Sequence, residues 1–303
     1  MERRNFIKKS IGAGIAIGVG LNTGIAGNLS EIENNAYDLV AIKGGEAEDM
    51  FKKGIASLGG MKSFVKPNQT VVVKPNIGWD TSPEKGADTN PNLIYEIVKH
   101  CYDAGAKKVY VFDNTCNNWQ KCYKNSGIED AVKKSGGLMV TGKDEGLYQE
   151  VELKNAKILT KAKIHELILS SDVFINVPIL KNHSSTTVSC AMKNFMGTVW
   201  DRNFFHKNGL SQCIADCPTY RKPDLNIVDA YRVMKTNGPR GISSSDCVIM
   251  KAQLISTDIV AIDTAAVGLY GINPSDISYL SKGQENGLGT MNLKSLNINR
   301  LSI

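Results

Sequence analysis

Residues 70–113 read TVVVKPNIGWDTSPEKGADTNPNLIYEIVKHCYDAGAKKVYVFD, and this stretch decides the fold. Thr70-Val71-Val72-Val73-Lys74 is rich in β-branched residues, which predicts a strand. A loop with Pro75, Gly78, Pro83 and Gly86 follows. Asn90-Pro91 then predicts a helix start: asparagine accepts from a free amide, and proline loses nothing in a first turn whose N–H groups lack partners. Leu93, Ile94, Ile97, Val98 and Cys101 fall on one helical face, and Gly105 closes the segment. Lys108-Val109-Tyr110-Val111-Phe112 is strand again and ends at Asp113. Strand, helix and strand with short links make a unit of parallel sheet.

The same alternation extends outward. Asp38 to Lys43 predicts a strand, and Glu46 to Leu58 a helix closed by Gly59-Gly60. Val173-Phe174-Ile175-Asn176-Val177 predicts a strand ending at Pro178, Leu225 to Val228 another, and Val248 to Ser256 a third. Asp258 caps a helix running to Leu269 and closed by Gly271. The expected fold is α/β: three layers, a mainly parallel sheet with helices on both faces, and irregular insertions at 114–165 and 198–247. Residues 38–303 are expected to form a single domain, behind a flexible mature N-terminus at 27–37.

The 303 residues carry a net charge of +6. The first nine hold Arg3, Arg4, Lys8 and Lys9 against Glu2, so half of that charge sits there. The remainder is dispersed among acids and forms no basic stripe, which argues against nucleic-acid binding. Arg3-Arg4-Asn5-Phe6-Ile7-Lys8 is followed by an uncharged stretch of Gly, Ala, Ile and Val from Ser10 to Gly20. That stretch is too short to span a bilayer and has the layout of a leader. The paired arginines resemble the twin-arginine export signal. Residues 1–26 are therefore expected to be a signal peptide cut after Ala26. The twin-arginine translocase would be a transient partner, the location periplasmic or extracellular, and no permanent membrane anchor is expected. Seven cysteines are present: Cys101, Cys116, Cys122, Cys190, Cys213, Cys217 and Cys247. They are expected to be buried or bridged, with Cys116–Cys122 and Cys213–Cys217 close enough for local disulfides.

In a parallel sheet, ligands bind beyond the carboxyl ends of the strands. The predicted strands end in Lys74-Pro75-Asn76, Asp113-Asn114, Lys181-Asn182-His183 and Asp229. Lys74, Asp113, Lys181, His183 and Asp229 are thus expected to meet in one crevice. Ser184-Ser185-Thr186-Thr187 reads as a helix start with amides free for an anion, flanked by Lys181, His183 and Lys193. No phosphate-loop or dinucleotide glycine pattern occurs.

Lys74-Pro75-Asn76, Asn90-Pro91, Phe112-Asp113-Asn114, Asn176-Val177-Pro178, Lys181-Asn182-His183, Lys193-Asn194-Phe195-Met196-Gly197 and Thr257 to Asp263 together resemble the domain of unknown function 362 family. The resemblance covers roughly residues 38 to 285. It implies an exported or redox-associated α/β protein and supplies no reaction. Some members carry an added ferredoxin-like domain. The corresponding cysteine run is not found here, so no iron–sulfur cluster is expected within this chain.

These readings point to an exported enzyme acting on a small anion, carboxylate or phosphate. Lys181, His183 and Asp113 are the catalytic candidates, with His183 as general acid or base and Asp113 or Asp229 orienting it. Lys74, Asn76, Lys193, Asn194, Asp229 and Asp263 are the ligand-binding candidates. A divalent metal on His183, His206 and Asp229 is a second use of the same groups, with Asp216 another oxygen donor. Asp263 lies in an apolar helix, where it either pairs with a pocket lysine or accepts from backbone. His100 and His165 read as helix-surface residues. The rival reading is a non-catalytic ligand-binding protein, or the accessory subunit of an exported iron–sulfur or redox system.

Overall fold

The computed structural model describes residues 37–303. The expected signal peptide at 1–26, its expected cut site and residues 27–36 of the expected mature N-terminus lie outside the described residues.

The chain begins with β1 (Leu39–Lys43), α1 (Ala47–Ala56), β2 (Thr70–Pro75), α2 (Pro91–Asp103) and β3 (Lys108–Val111). It continues through α3 (Trp119–Asn125), α4 (Ile128–Lys134), β4 (Leu138–Met139), β5 (Tyr148–Glu152), β6 (Lys161–His165) and α5 (Glu166–Ser170). Next come β7 (Val173–Val177), β8 (Ile179–His183), β9 (Thr187–Ser189), α6 (Ala191–Asn194), α7 (Asn203–Asn208) and α8 (Leu210–Asp216). It ends with β10 (Leu225–Met234), β11 (Cys247–Ser256), α9 (Ile259–Tyr270), α10 (Ser278–Glu285) and β12 (Ile298–Ser302).

The main sheet has the order β12-β1-β11-β10-β7-β2-β3-β4, with β8 paired to β10 and β9 to β8. The run β10-β7-β2-β3-β4 is parallel, as is β1 with β12. β11 is antiparallel to both of its neighbours. The sheet is therefore mixed but mostly parallel, the α/β architecture expected. Period-two alternation feeds two cores. Val71, Val73, Ile175 and Ile227 pack with α1 and α2 on one face. Val72, Phe174, Val228 and Leu254 pack with α8 and α9 on the other. Lys74 stands two residues beyond Val72 and so points toward the α9 side. Among the described residues no helix is long and apolar enough to cross a membrane.

Four local readings are corrected. The strand at Leu225 does not stop at Val228 but runs to Met234, its register with β11 shifting between Ala230 and Arg232. Past Pro178 the chain forms the β8–β9 hairpin, and Ser184–Thr187 is not a helix start: Ser184–Thr186 is the hairpin turn and Thr187 opens β9. Thr187 there takes φ +64°, a conformation closed to a first helical turn. His165 is fully buried at the end of β6, its ring stacked 4.0 Å from that of Phe112. Burial lowers its pKa to about 4. All seven cysteines are free thiols; Cys101, Cys122, Cys190, Cys213 and Cys217 fill the interior and Cys116 is exposed. The five buried thiols pack as small apolar groups, as expected, while neither suggested local bridge is formed.

Candidate functional site

A cleft of about 420 Å³ opens where β2, β3 and β8 deliver their carboxyl ends under α6. Lys74, Asn76, Asp113, Lys181, His183, Lys193, Asn194 and His206 all line it. Eight of the eleven candidate site residues named from the sequence thus share one cleft.

The floor is an ion pair. Lys74 Nζ lies 2.7 Å from Asp113 Oδ1, and both residues are almost wholly buried. Lys74 Nζ also donates to Pro75 O and to Asn194 Oδ1, each at 2.8 Å. Asp113 Oδ2 accepts from Ile77 N–H at 2.7 Å. Burial pulls the Lys74 pKa down, and the Asp113 carboxylate opposes the shift. Asn194 joins this pair to the sheet: its Nδ2 donates to Asn176 Oδ1 at 2.8 Å, and Asn176 Nδ2 donates to Asn226 Oδ1 at 3.0 Å. Lys74, Asn176 and Asn226 are register partners across β2, β7 and β10, so one row of the sheet forms a polar ladder. Such a ladder survives burial because its members satisfy one another. Gly197 seals it from above; a Cβ there would overlap Asp113 Oδ1 and come within 2.6 Å of Lys74 Nζ.

The walls are cationic. Lys181 Nζ donates to Asn76 Oδ1 at 3.0 Å and to Ala87 O. Burial lowers its pKa to about 8, opposed by the buried carboxyl of Asp88. Burial in turn raises Asp88 to about 7, opposed by Lys181. His183 Nδ1 accepts from Ser185 N–H at 3.1 Å. That bond leaves the ring proton of the neutral imidazole on Nε2. Burial, with the Lys193, Lys181 and His206 charges adding to it, holds the His183 pKa near 3. At neutral pH His183 is therefore an uncharged hydrogen-bond donor. Lys193 is buried, and its Nζ meets the Met196 thioether at 3.5 Å. Burial first, then Lys181, Arg202 and Lys74, lowers it to about 7. Arg202 Nη2 donates to Thr115 O at 2.7 Å and Nη1 to Cys116 Sγ at 3.3 Å. Among the described residues neither Lys193 nor Arg202 has a carboxylate at ion-pair distance. His206 is exposed at the rim, its pKa lowered by partial burial and by Lys193 and Arg202.

Three expected members are elsewhere. Asp229 lines a separate crevice with Asp88 and Asn90, accepting from Asn90 N–H at 2.8 Å and Tyr231 N–H at 3.0 Å. Desolvation raises its pKa to about 6. It misses the cleft because β10 continues past it. Neither Asp113 nor Asp229 hydrogen-bonds His183; both carboxylates are committed to other donors. Asp263 is wholly buried and touches no lysine. It accepts from Ala191 N–H at 2.6 Å and Met192 N–H at 2.9 Å, capping the start of α6. Its two oxygens are thereby committed to backbone, the second of the two roles expected for it. With Asp229 away, the trio His183, His206 and Asp229 is not assembled. Asp216 is also committed, accepting from Ile158 and Leu159 N–H. Among the described residues no group of three or more His, Cys, Asp and Glu could hold a metal.

Sequence reading missed Arg202, Asp88, Cys116 and Trp79. Trp79 and Cys116 line the cleft, and Cys116 N–H donates to Gly78 O at 2.7 Å. Arg202 stands four residues before His206 in a segment read only for its histidine. Asp88 sits two residues before the Asn90 cap, and no local signal marks a carboxylate that works through a distant lysine.

Two solved structures resemble the chain weakly. A crystal structure of a protein from Thermotoga maritima is 11% identical with TM-score 0.48, covering 74% of this chain and 59% of that one. The lactate racemase apoprotein from Thermoanaerobacterium thermosaccharolyticum is 15% identical with TM-score 0.42, covering 73% of this chain and 55% of that one. The match spans less than two thirds of either structure. In sequence, the thylakoid-associated protein sll1697 of Synechocystis sp. is 23% identical over 247 residues, 76% of this chain and 72% of that one. The family described as Domain of unknown function (DUF362) matches residues 71–268, which include the whole ladder and every lining residue discussed above. The chain belongs to that family.

Proposed function

We propose that this is an exported protein whose cleft binds a small anion, a carboxylate or a phosphate, and acts on it as an enzyme. The observation that carries the reading is the unbalanced charge of the walls. Lys74 is matched by Asp113 and Lys181 faces Asp88, whereas the half-buried Arg202, whose guanidinium stays charged, has no carboxylate at ion-pair distance among the described residues. Buried cationic charge is costly unless a counter-charge arrives. An anionic ligand supplies it, and the His183 Nε2–H and Arg202 can hold its oxygens. In this reading His183 donates a hydrogen bond from its neutral ring rather than cycling through a charged form near pH 7. Titration calorimetry of the mature protein with inorganic phosphate, lactate and pyruvate tests it. At least one should bind, and Arg202→Ala should weaken that binding roughly tenfold or more, as expected for a lost charged hydrogen bond. Binding of none of the three, or binding indifferent to Arg202, overturns the proposal.

A further inference from the structure

The three lysines of the cleft differ in what surrounds their nitrogens. An ammonium has three donors to place and no lone pair. Lys74 Nζ has three oxygen partners: Asp113, Pro75 O and Asn194 Oδ1. Lys181 Nζ has two, Asn76 Oδ1 and Ala87 O, with the Asp88 carboxyl nearby. Lys193 Nζ has the Met196 sulfur, a weak acceptor, and no oxygen partner among the described residues. It is 9% exposed and opens onto the cleft. Two of these environments are built for a fixed cation. The third suits an uncharged amine with a free lone pair, kept so by burial and by the neighbouring cations, its pKa about 7. Lysines become nucleophiles toward carbonyl carbon in this way.

We infer that the ligand is a small carbonyl compound carrying an acidic group, such as a 2-oxo acid, and that Lys193 forms a reversible imine with it. The inference rests on the anion-binding reading, which supplies the acidic group's contacts. The Nζ lone pair attacks the carbonyl carbon, forming the C–N bond and an alkoxide. One amine hydrogen moves to that oxygen, which then leaves and takes a solvent proton to become water. The nitrogen keeps its second hydrogen as the iminium, and no oxidant or reductant enters. The iminium restores a positive charge beside the ligand's own carboxylate, a pairing that favours the charged adduct.

Borohydride trapping tests the step. The mature protein is incubated at pH 7 with pyruvate, 2-oxoglutarate or glyoxylate, reduced, digested and mapped by mass spectrometry. One reduced adduct on Lys193 is expected with at least one compound. An ordinary exposed lysine holds under one part in a thousand of free amine at that pH, against about half at Lys193, so the excess there should be on the order of a thousandfold. Lys193→Arg should abolish trapping, with circular dichroism showing the fold retained; Lys193→Met serves if the arginine disrupts it. No adduct with any of the three compounds, or equal labelling of surface lysines, overturns the imine. Calorimetry with lactate, which has no carbonyl, separates the two failures. Lactate bound without trapping leaves the anion site standing and sinks the imine; binding of neither lactate, phosphate nor the oxo acids sinks both.

Discussion

Lys193 pays for its position in stability, and the sign can be worked out. Its folded pKa, about 7, lies below the ordinary lysine value of 10.5. Between those values the unfolded chain holds a proton that the folded one has released. Raising the pH through this window therefore favours the folded state, and the gain is complete above the ordinary value. Chemical denaturation should show stability rising from pH 7 to pH 10 more steeply in the parent than in Lys193→Met. At pH 7 that variant should be the more stable by roughly 1–3 kcal/mol, since it buries no amine. Asp113 presents the opposite case. Asp113→Asn leaves the Lys74 amine buried and without its counter-ion, at a cost of roughly 3–5 kcal/mol. The double variant Lys74→Met with Asp113→Leu should recover much of this in thermal melts, because it removes both charges together.

Among the elements, α6 matters out of proportion to its four residues. It carries Lys193 and Asn194, and a helix so short gains little from its own hydrogen bonds. Asp263 on α9 holds its first two amides, and Asn194 fastens it to the sheet. Asp263→Ala is expected to cost roughly 2–4 kcal/mol, from two lost bonds to a carboxylate. It should also weaken ligand binding without touching the cleft, which calorimetry at matched folded fraction would detect. These elements also show what sequence can reveal. The strand ends at Lys74 and Asp113 were legible, because parallel topology gathers carboxyl ends on one rim whatever the details. Asp229 was not, since nothing local says that β10 runs on beyond Val228. The turn at Ser184–Thr186 was misread because hydroxyl residues serve hairpin turns and helix caps alike. Asp263 was ambiguous for the same kind of reason: a carboxylate in an apolar helix declares that it has a partner, not which one. Arg202 was hidden, as its place in the cleft is set by the fold of 198–209 and by no periodicity.

For the molecule as a whole, export is the open question, and it is separable from the chemistry. Arg3→Lys with Arg4→Lys should leave the full-length protein in the cytoplasmic fraction of its native host, with the α/β domain still folded by limited proteolysis. Export undiminished by both substitutions would remove the twin-arginine reading and leave the cleft untouched. The mostly parallel sheet was legible from the alternation of strands and helices. Its antiparallel side was not: β11 turns back on β10, the strand just before it, and also pairs with β1 at the other end of the described chain. Such long-range pairing leaves no mark on either strand. Most of the thiols, meanwhile, sit inside as ordinary filling, and none is tied to another. The architecture thus owes nothing to an oxidant, and the cytosol's reducing conditions are no obstacle to reaching it. Melting curves with and without dithiothreitol should superimpose; a drop of several degrees in the reductant would mean that a covalent cross-link is holding the fold after all.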